Sequence, residues 1–324
     1  MADDTGEKFI NPYTDFGFKK LFGTEMNKDL LISFLNALFN DSEKEIEEVS
    51  YLNGENLGDG YGDRRSVFDV YCMTKNGSRF IVEMQKAEQP YFKDRSVYYA
   101  TTPIRQQAPK GKWDYHLEDV YTVGILNFEF SNNEYPADSY RHEVKLKDVE
   151  DNHVFYDKLT FVYLEMPKFN KTEDELENMF DKWMFVLRNL SRLLERPKAL
   201  QDRIFQRLFD QAEIAKYSEA ERRLYEASQK EYWDYTSTLE TAERKGLELG
   251  IQKGIQKGIQ QGIQQGIQQG IQQGIQQGIQ QGIQEGIQQG KMETVNRMKA
   301  KGYSVEDISE IAGLSIDEIK RILQ

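Results

Sequence analysis

Asp69, Glu83 and Gln85 are the residues whose types and spacing could do chemistry. Each interrupts a short apolar run. The first run is Val67-Phe68-Asp69-Val70-Tyr71-Cys72-Met73 and the second is Ser78-Arg79-Phe80-Ile81-Val82-Glu83-Met84-Gln85, with Lys75-Asn76-Gly77 between them. A carboxylate in a buried strand is costly unless it is paired, hydrogen-bonded or bound to a metal. Two carboxylates on adjacent strands can hold a hard divalent cation such as Mg2+, which keeps part of its water shell. Such an ion can activate a water and neutralise charge on a phosphodiester. Gln85, on the Glu83 face, could orient that water or a phosphate oxygen.

The elements that must position these groups are two β-branched and aromatic strands forming a hairpin. Side chains alternate along a strand, so Ile81, Glu83 and Gln85 share one face, as do Val67, Asp69 and Tyr71. A two-residue Asn76-Gly77 turn would pair Asp69 with Met84 and put the two acids on opposite sides. A three-residue Lys75-Asn76-Gly77 loop with a left-handed glycine pairs Asp69 with Glu83. The odd loop is expected, because only that parity builds one acidic site.

Composition narrows the chemistry. The chain has 324 residues, enough for one sizeable core and an appendage. Cys72 is the single cysteine, which excludes a disulfide framework and a multi-cysteine zinc site and fits a reducing cytoplasm. Three well-separated histidines (His116, His142 and His153) leave oxygen as the expected metal ligand. No apolar run approaches membrane-spanning length, and the stretch from Met1 to Lys8 is charged rather than signal-like. The net charge of −12 counts against nonspecific nucleic-acid binding through a basic surface. That acidity belongs to the first 245 residues, so a nuclease would need its basic groups clustered near the site.

Along the chain, an amphipathic helix runs from Lys28 to Phe39, with Leu30, Leu31, Phe34, Leu35 and Leu38 on one face. A first strand over Ile46–Leu52 leads through a loop with Gly54, Gly58, Gly60 and Gly62 into the hairpin. No helix starts directly after those glycines, so they read as a flexible loop at the site mouth rather than a phosphate cradle. A helix from Phe92 to Gln107, kinked at Pro103, brings Arg95, Tyr98 and Tyr99. Lys110, Lys112 and Trp113 precede a strand over Val120–Phe130, and strands near Tyr140–Leu146 and Val154–Glu165 complete a mixed sheet.

Helix, three strands, helix, strand, with Asp on the second strand and Glu-x-Gln on the third, resembles the core of PD-(D/E)XK phosphodiesterases. The text around it is more specific. The segment Thr14-Asp15-Phe16-Gly17-Phe18-Lys19-Lys20-Leu21-Phe22-Gly23, then Phe34-Leu35-Asn36, Asp69, Glu83-Met84-Gln85 and Arg95-Ser96-Val97-Tyr98-Tyr99 resemble the recombination-promoting nuclease (Rpn) family, also described as PD-(D/E)XK nuclease family transposases. Pro103-Ile104-Arg105-Gln106-Gln107 through Val120-Tyr121-Thr122 continues the likeness, which covers roughly residues 9–165. The resemblance implies an α/β fold and a Mg2+-dependent DNA endonuclease linked to recombination, transposition or defence against foreign DNA. It implies Asp69 and Glu83 as metal ligands and puts Gln85 where the wider superfamily has lysine. Glutamine can align water but brings no positive charge, so charge stabilisation would fall to the metal and to Lys19, Lys20, Lys86 or Arg95. Asp15 could be an additional acid or the N-cap of the helix over Phe16–Leu21.

Four segments are expected: a nuclease core over 9–170, a helical buttress over 171–245, a tetrapeptide repeat arm over 246–290 and a helix-turn-helix-like module over 291–324. The buttress opens on a capping box at Thr172-Glu173-Asp174-Glu175, followed by an apolar stripe of Met179, Trp183, Val186, Leu187, Leu190 and Leu194. From Gly246 to Gly290 glycine occupies every fourth position, twelve times, with Ile-Gln-Gln or close variants between. Four residues turn a helix by about 400°, so the isoleucine stripe drifts about 40° per repeat. It cannot form a straight left-handed coiled-coil seam. The arm reads as a helical spacer or oligomerising element, so a homo-oligomer through residues 246–324 is expected. Ser304-Val305-Glu306-Asp307 and Ser315-Ile316-Asp317-Glu318 are two further capping boxes, with Gly313 between their helices. Asp317 and Glu318 beside Lys320 and Arg321 suit protein docking better than groove reading. The alternative to the nuclease is a non-catalytic DNA- or protein-binding scaffold that keeps the fold.

Overall fold

The computed structural model describes residues 7–39, 45–52, 55–56, 66–109, 111–130 and 135–324. The glycine-rich segment at Gly54, Gly58, Gly60 and Gly62, and Lys110, lie outside the described residues. The chain divides into two compact units, residues 1–237 and 238–324.

The first unit is built on a six-stranded mixed sheet. Its strands are β1 (Val49–Tyr51), β4 (Val70–Thr74), β5 (Arg79–Gln85), β6 (Val120–Leu126), β7 (Arg141–Lys147) and β8 (Val154–Glu165), in the order β1-β4-β5-β6-β8-β7. A separate two-stranded ribbon joins β2 (Glu55–Asn56) to β3 (Ser66–Val67). β1 and β4 run antiparallel, as do β4 and β5. β5, β6 and β8 are parallel, and β7 closes the edge antiparallel to β8. The β5–β6 crossover is helix α3 (Phe92–Arg105), which keeps Pro103 within it.

Alternation in the strands sends the two faces to different partners. Val70, Cys72, Phe80, Val82 and Met84 enter a core shared with α1 (Asp15–Phe22), α2 (Lys28–Leu38), α4 (Met179–Asn189) and α5 (Arg203–Ala212). Trp183 lies at its centre, fully buried, with Phe22, Phe34 and Phe205 around it at ring separations of 5.7, 5.8 and 5.2 Å. The expected buttress helices therefore share the main core. The opposite face carries Tyr71 and Ile81 with Phe68 and Tyr99, and further along Leu126, Phe161 and Tyr163 with Phe92 and Ala100 of α3.

Three local expectations differ from the structure. Thr14, not Asp15, caps α1, its Oγ1 accepting from the Gly17 amide at 3.0 Å. The Thr172 capping box forms, but it closes one 3-10 turn (Glu173–Glu175); α4 starts at Met179 and is capped by Asn178, which accepts from the Asp181 amide at 2.9 Å. A helix that begins and ends at Met179 and Asn189 takes Leu194 off the apolar stripe, and Leu194 is exposed.

Helix α6 runs unbroken from Glu219 to Ala300, so the repeat tract is helical throughout. Its first turns belong to the first unit: Tyr225 accepts from the Asn11 amide at 2.9 Å and Ser228 from the Phe16 amide at 3.1 Å. In the second unit the repeat isoleucines Ile251 to Ile287 are each 54–59% exposed. At its end Val295 of α6 packs with Ile308 of α7 (Val305–Ala312), Leu314 and Ile319 of α8 (Ile316–Leu323). Both serine capping boxes form there, and Gly313 is left-handed at φ 63°.

Gly17 and the repeat glycines respond oppositely to a methyl group. A Cβ on Gly17 would stand 2.1 Å from the Asn11 carbonyl oxygen, whereas at Gly262 nothing lies within 4 Å. Gly17→Ala is expected to destabilise the first unit by about 1–3 kcal/mol in urea melts. Gly262→Ala should raise the thermal stability of helical circular dichroism, gaining about 1 kcal/mol of helix propensity.

Candidate metal centre

The β4–β5 turn has the expected odd length. Thr74 faces Ser78 through a 2.9 Å backbone bond, and Gly77 adopts φ 92°, a conformation open to glycine. The ladder pairs Tyr71 with Ile81 and Val70 with Val82. The ladder ends at that second pair, one residue short of Asp69 and Glu83.

Asp69 itself stands at a bend before β4. Its Oδ2 accepts from the Met84 amide at 2.8 Å. That amide would otherwise serve the next rung of the hairpin, so the carboxylate both ends the ladder and is fixed by it. Burial raises the Asp69 pKa; the Met84 amide offsets this in part, Asp15 adds to it, and Lys19 and Lys86 oppose it. Asp15, Lys19 and Lys86 therefore lie within electrostatic reach of Asp69. Asp15 and Lys19 also pair with each other at 2.8 Å across one turn of α1.

Glu83 is buried in β5, 8% exposed. Its Oε2 accepts from Gln85 Nε2 at 2.9 Å, while its Oε1 is buried with no hydrogen-bond partner. Burial and then the Asp69 charge push its pKa up to about 8, against the pull of Arg95 and the Gln85 bond. A buried carboxylate oxygen without a hydrogen-bond partner leaves an acceptor of the kind a hard cation could use. Mg2+ commonly takes one or two protein carboxylates and leaves its other positions to water and phosphate. Among the described residues no group of three or more His, Cys, Asp or Glu side chains is placed to hold a metal.

Gln85 spends both ends of its amide within the protein. Its Nε2 goes to Glu83 and its Oε1 accepts from the Arg95 guanidinium. This geometry connects Glu83 to Arg95; orienting a water, the role expected of Gln85, would require one of these bonds to open. Arg95 also donates to Gln89 and lies over the Tyr99 ring at 5.7 Å. Gln89 was missed by sequence reasoning, because it sits in an irregular stretch between β5 and α3 where no periodicity marks it. Lys20 does not join this group. It pairs with Glu221 at 2.6 Å, lies over Tyr217, and holds the Glu221 pKa down to about 2. Tyr99 packs on Phe68 at 5.4 Å, while its neighbour Tyr98 is half exposed.

A larger cleft, of about 830 Å³, opens at the turn end of the sheet between Thr74, Phe80, Tyr121 and Arg141. Its Glu143 is already paired with Arg141 and Lys145, each at 2.9 Å.

An antiparallel hairpin feeding a parallel β5–α3–β6 crossover, with acids at the hairpin's open end, defines a PD-(D/E)XK-like α/β fold. The chain belongs to the PD-(D/E)XK nuclease family transposases, whose family model matches residues 12–242. The match continues through α4, α5 and the root of α6, well past the region carrying the motifs. Searches of curated proteins and of solved structures found no match. Membership carries a nuclease- or transposase-related function, and PD-(D/E)XK nucleases generally use divalent metal ions. No helix among the described residues is long and apolar enough to cross a membrane.

The raised Glu83 pKa fixes the sign of a pH effect. The folded state holds a proton that the unfolded chain releases near the ordinary value of 4.5, so in EDTA stability should fall as pH rises from 4.5 towards 8. Glu83→Gln should flatten this slope in urea melts. Added Mg2+ should stabilise the wild type more at pH 8 than at pH 5, because the cation competes with the proton.

Proposed function

We propose that this protein is a Mg2+-dependent DNA endonuclease whose metal is held by Asp69 and Glu83. The observation that carries the reading is the orphaned Glu83 Oε1, on a carboxylate that also feels the Asp69 charge. A bound divalent cation would supply an activated water and neutralise phosphate charge. The protein's own part begins with holding the two acids rigidly, Asp69 by the Met84 amide and Glu83 by Gln85. Arg95, anchored by Gln85 and Gln89, brings the positive charge that glutamine lacks and stands ready for the charge that develops on the phosphate. Lys19 and Lys86 add local positive potential at Asp69 within an acidic chain. Asp15, paired with Lys19, tunes that potential and is the reserve acid of the site.

Residues 246–324 form the assembly element of this reading, joining copies of the chain into a homo-oligomer. Buried Cys72, the single thiol, fits a cytoplasmic enzyme acting in recombination, transposition or defence against foreign DNA. The net charge of −12 and the glutamine at position 85 favour the second reading, a scaffold that keeps the fold without cleavage.

Purified protein with supercoiled plasmid and Mg2+ should nick it, and Asp69→Ala should abolish nicking while circular dichroism stays unchanged. Equal nicking by wild type and Asp69→Ala would refute the assignment, and no nicking by either would favour the scaffold. Arg95→Ala should lower kcat by about 10²–10³-fold, the usual cost of removing a charge-stabilising donor. Lys20→Gln should leave kcat at the wild-type value, since Lys20 is committed to Glu221.

A further inference from the structure

A second cleft, of about 530 Å³, lies at the start of α3. Its walls are Tyr91, Phe92, Phe128 and Phe130. Phe92 is buried, Phe128 and Phe130 are half-buried, and Tyr91 is 80% exposed. The rings meet edge-on, Phe92 with Phe128 at 5.7 Å and Phe128 with Phe130 at 6.2 Å, and Lys93 Nζ lies 5.1 Å from the Phe130 ring centre. Tyr91 holds φ 61° and ψ 31°, left-handed backbone that costs a non-glycine residue roughly 1–2 kcal/mol. A large, strained, solvent-facing aromatic over an aromatic wall has no packing role in the chain itself.

Two groups join this cleft to the acid pair. Gln89 lines the cleft and also accepts from Arg95, which reaches Glu83 through Gln85. Phe92 lines it too, and lies 3.6 Å from where a Cβ on Gly124 would stand. Gly124 is the ladder partner of Glu83 on β6. These two links run from Glu83 to the cleft through Gln85 and Arg95 and through Gly124.

We propose that this cleft receives an unstacked base of the substrate strand, stacked against Tyr91 and Phe128, so that the preferred substrate is single-stranded or locally unpaired DNA. The proposal rests on the nuclease reading for the location of the scissile phosphate. The aromatic walls offer faces to a base and not to a phosphate, and Asp94 at the rim can accept a hydrogen bond from a base's exocyclic amine, which favours the base over the backbone as occupant. Base–aromatic stacking contributes about 1–3 kcal/mol per base and tolerates any sequence. That contribution lets an acidic chain bind nucleic acid with few phosphate contacts. Its affinity for single strands should also be less salt-dependent than that of a basic binder.

The test uses the full chain in EDTA, at one salt concentration, with fluorescein-labelled oligonucleotides read by anisotropy. Three probes of equal length are compared: a mixed-sequence single strand, its duplex, and a single strand with abasic sites at its centre. Wild type should bind the base-bearing strand at least about tenfold tighter than the abasic one. Tyr91→Gly, which suits left-handed backbone and so keeps the fold, should remove most of that gap, and Tyr91→Trp should keep it. Equal affinity for base-bearing and abasic strands, a gap that survives both Tyr91→Gly and Phe128→Leu, or no binding to any probe would overturn the proposal. Plasmid nicking in Mg2+, run in parallel, separates the two readings. Nicking without a base-dependent gap leaves the nuclease and removes the cleft; a Tyr91-dependent gap without nicking keeps the base pocket and removes the nuclease.

Discussion

The antiparallel register of β4 on β5 is the constraint on which the rest depends. Its parity is set by a three-residue turn closed by Gly77 at φ 92°. With this parity Val70, Cys72, Phe80 and Val82 face the Trp183 core, and Tyr71 and Ile81 pack with Phe68 and Tyr99. A slip of one residue on β4 would carry every one of its side chains to the other face. Asp69 would then enter a core with no polar partner, at a cost of several kcal/mol, and Val70 and Cys72 would leave it. The hydrophobic core thus guards the register of the hairpin that leads into Asp69 and carries Glu83.

Glu83 shows the opposite tendency. A carboxylate with one oxygen unpartnered and its pKa pushed up to about 8 is a loss to folding stability. Arg95 and Gln85 recover part of that loss without neutralising the site, because Gln85 stands between the cation and the acid. A lysine at position 85 would place its ammonium directly beside Glu83. In this chain the positive charge comes instead from α3, one connection later, and is braced from the far side by Gln89 and Tyr99. The glutamine is thus a linker in a charge arrangement distributed over β5 and α3.

Much of this was legible because the signals were local and periodic. Strand alternation and turn chemistry gave the three-residue turn and the β4–β5 register, and the serine capping boxes at Ser304 and Ser315 located α7 and α8. The signals that failed were ambiguous over the same few residues. Thr172 and Glu175 satisfy a capping box whether a helix or a single turn follows, and only Asn178 decides where α4 starts. Thr14 and Asp15 are both good caps; Gly17, pressed against Asn11, selects Thr14. Lys20 and Gln89 depended on tertiary neighbours: Glu221 lies 201 residues away in sequence, and Arg95 reaches Gln89 only because α3 turns back over β5. No one-dimensional pattern carries that information.

The repeat arm poses a different energetic problem, and its composition constrains the answer. Each of its glycines costs about 1 kcal/mol relative to alanine, and nothing packs near them within the chain. The isoleucines that could repay this are each more than half exposed. A four-residue period makes both stripes wind about 40° per repeat around the axis, so one flat partner surface could cover only a few of them. A partner with the same winding could follow them all, and another copy of the tract has that winding by construction. Between Lys257 and Glu285 the tract carries no charge, so neither register nor direction is specified electrostatically. Steps of one four-residue unit give nearly equivalent pairings. The capped module of α7 and α8, with its own core of Val295, Ile308, Leu314 and Ile319, is then the element able to end the array at a defined place. In the proposed assembly the repeat would supply many weak and equivalent contacts and the module a distinct one.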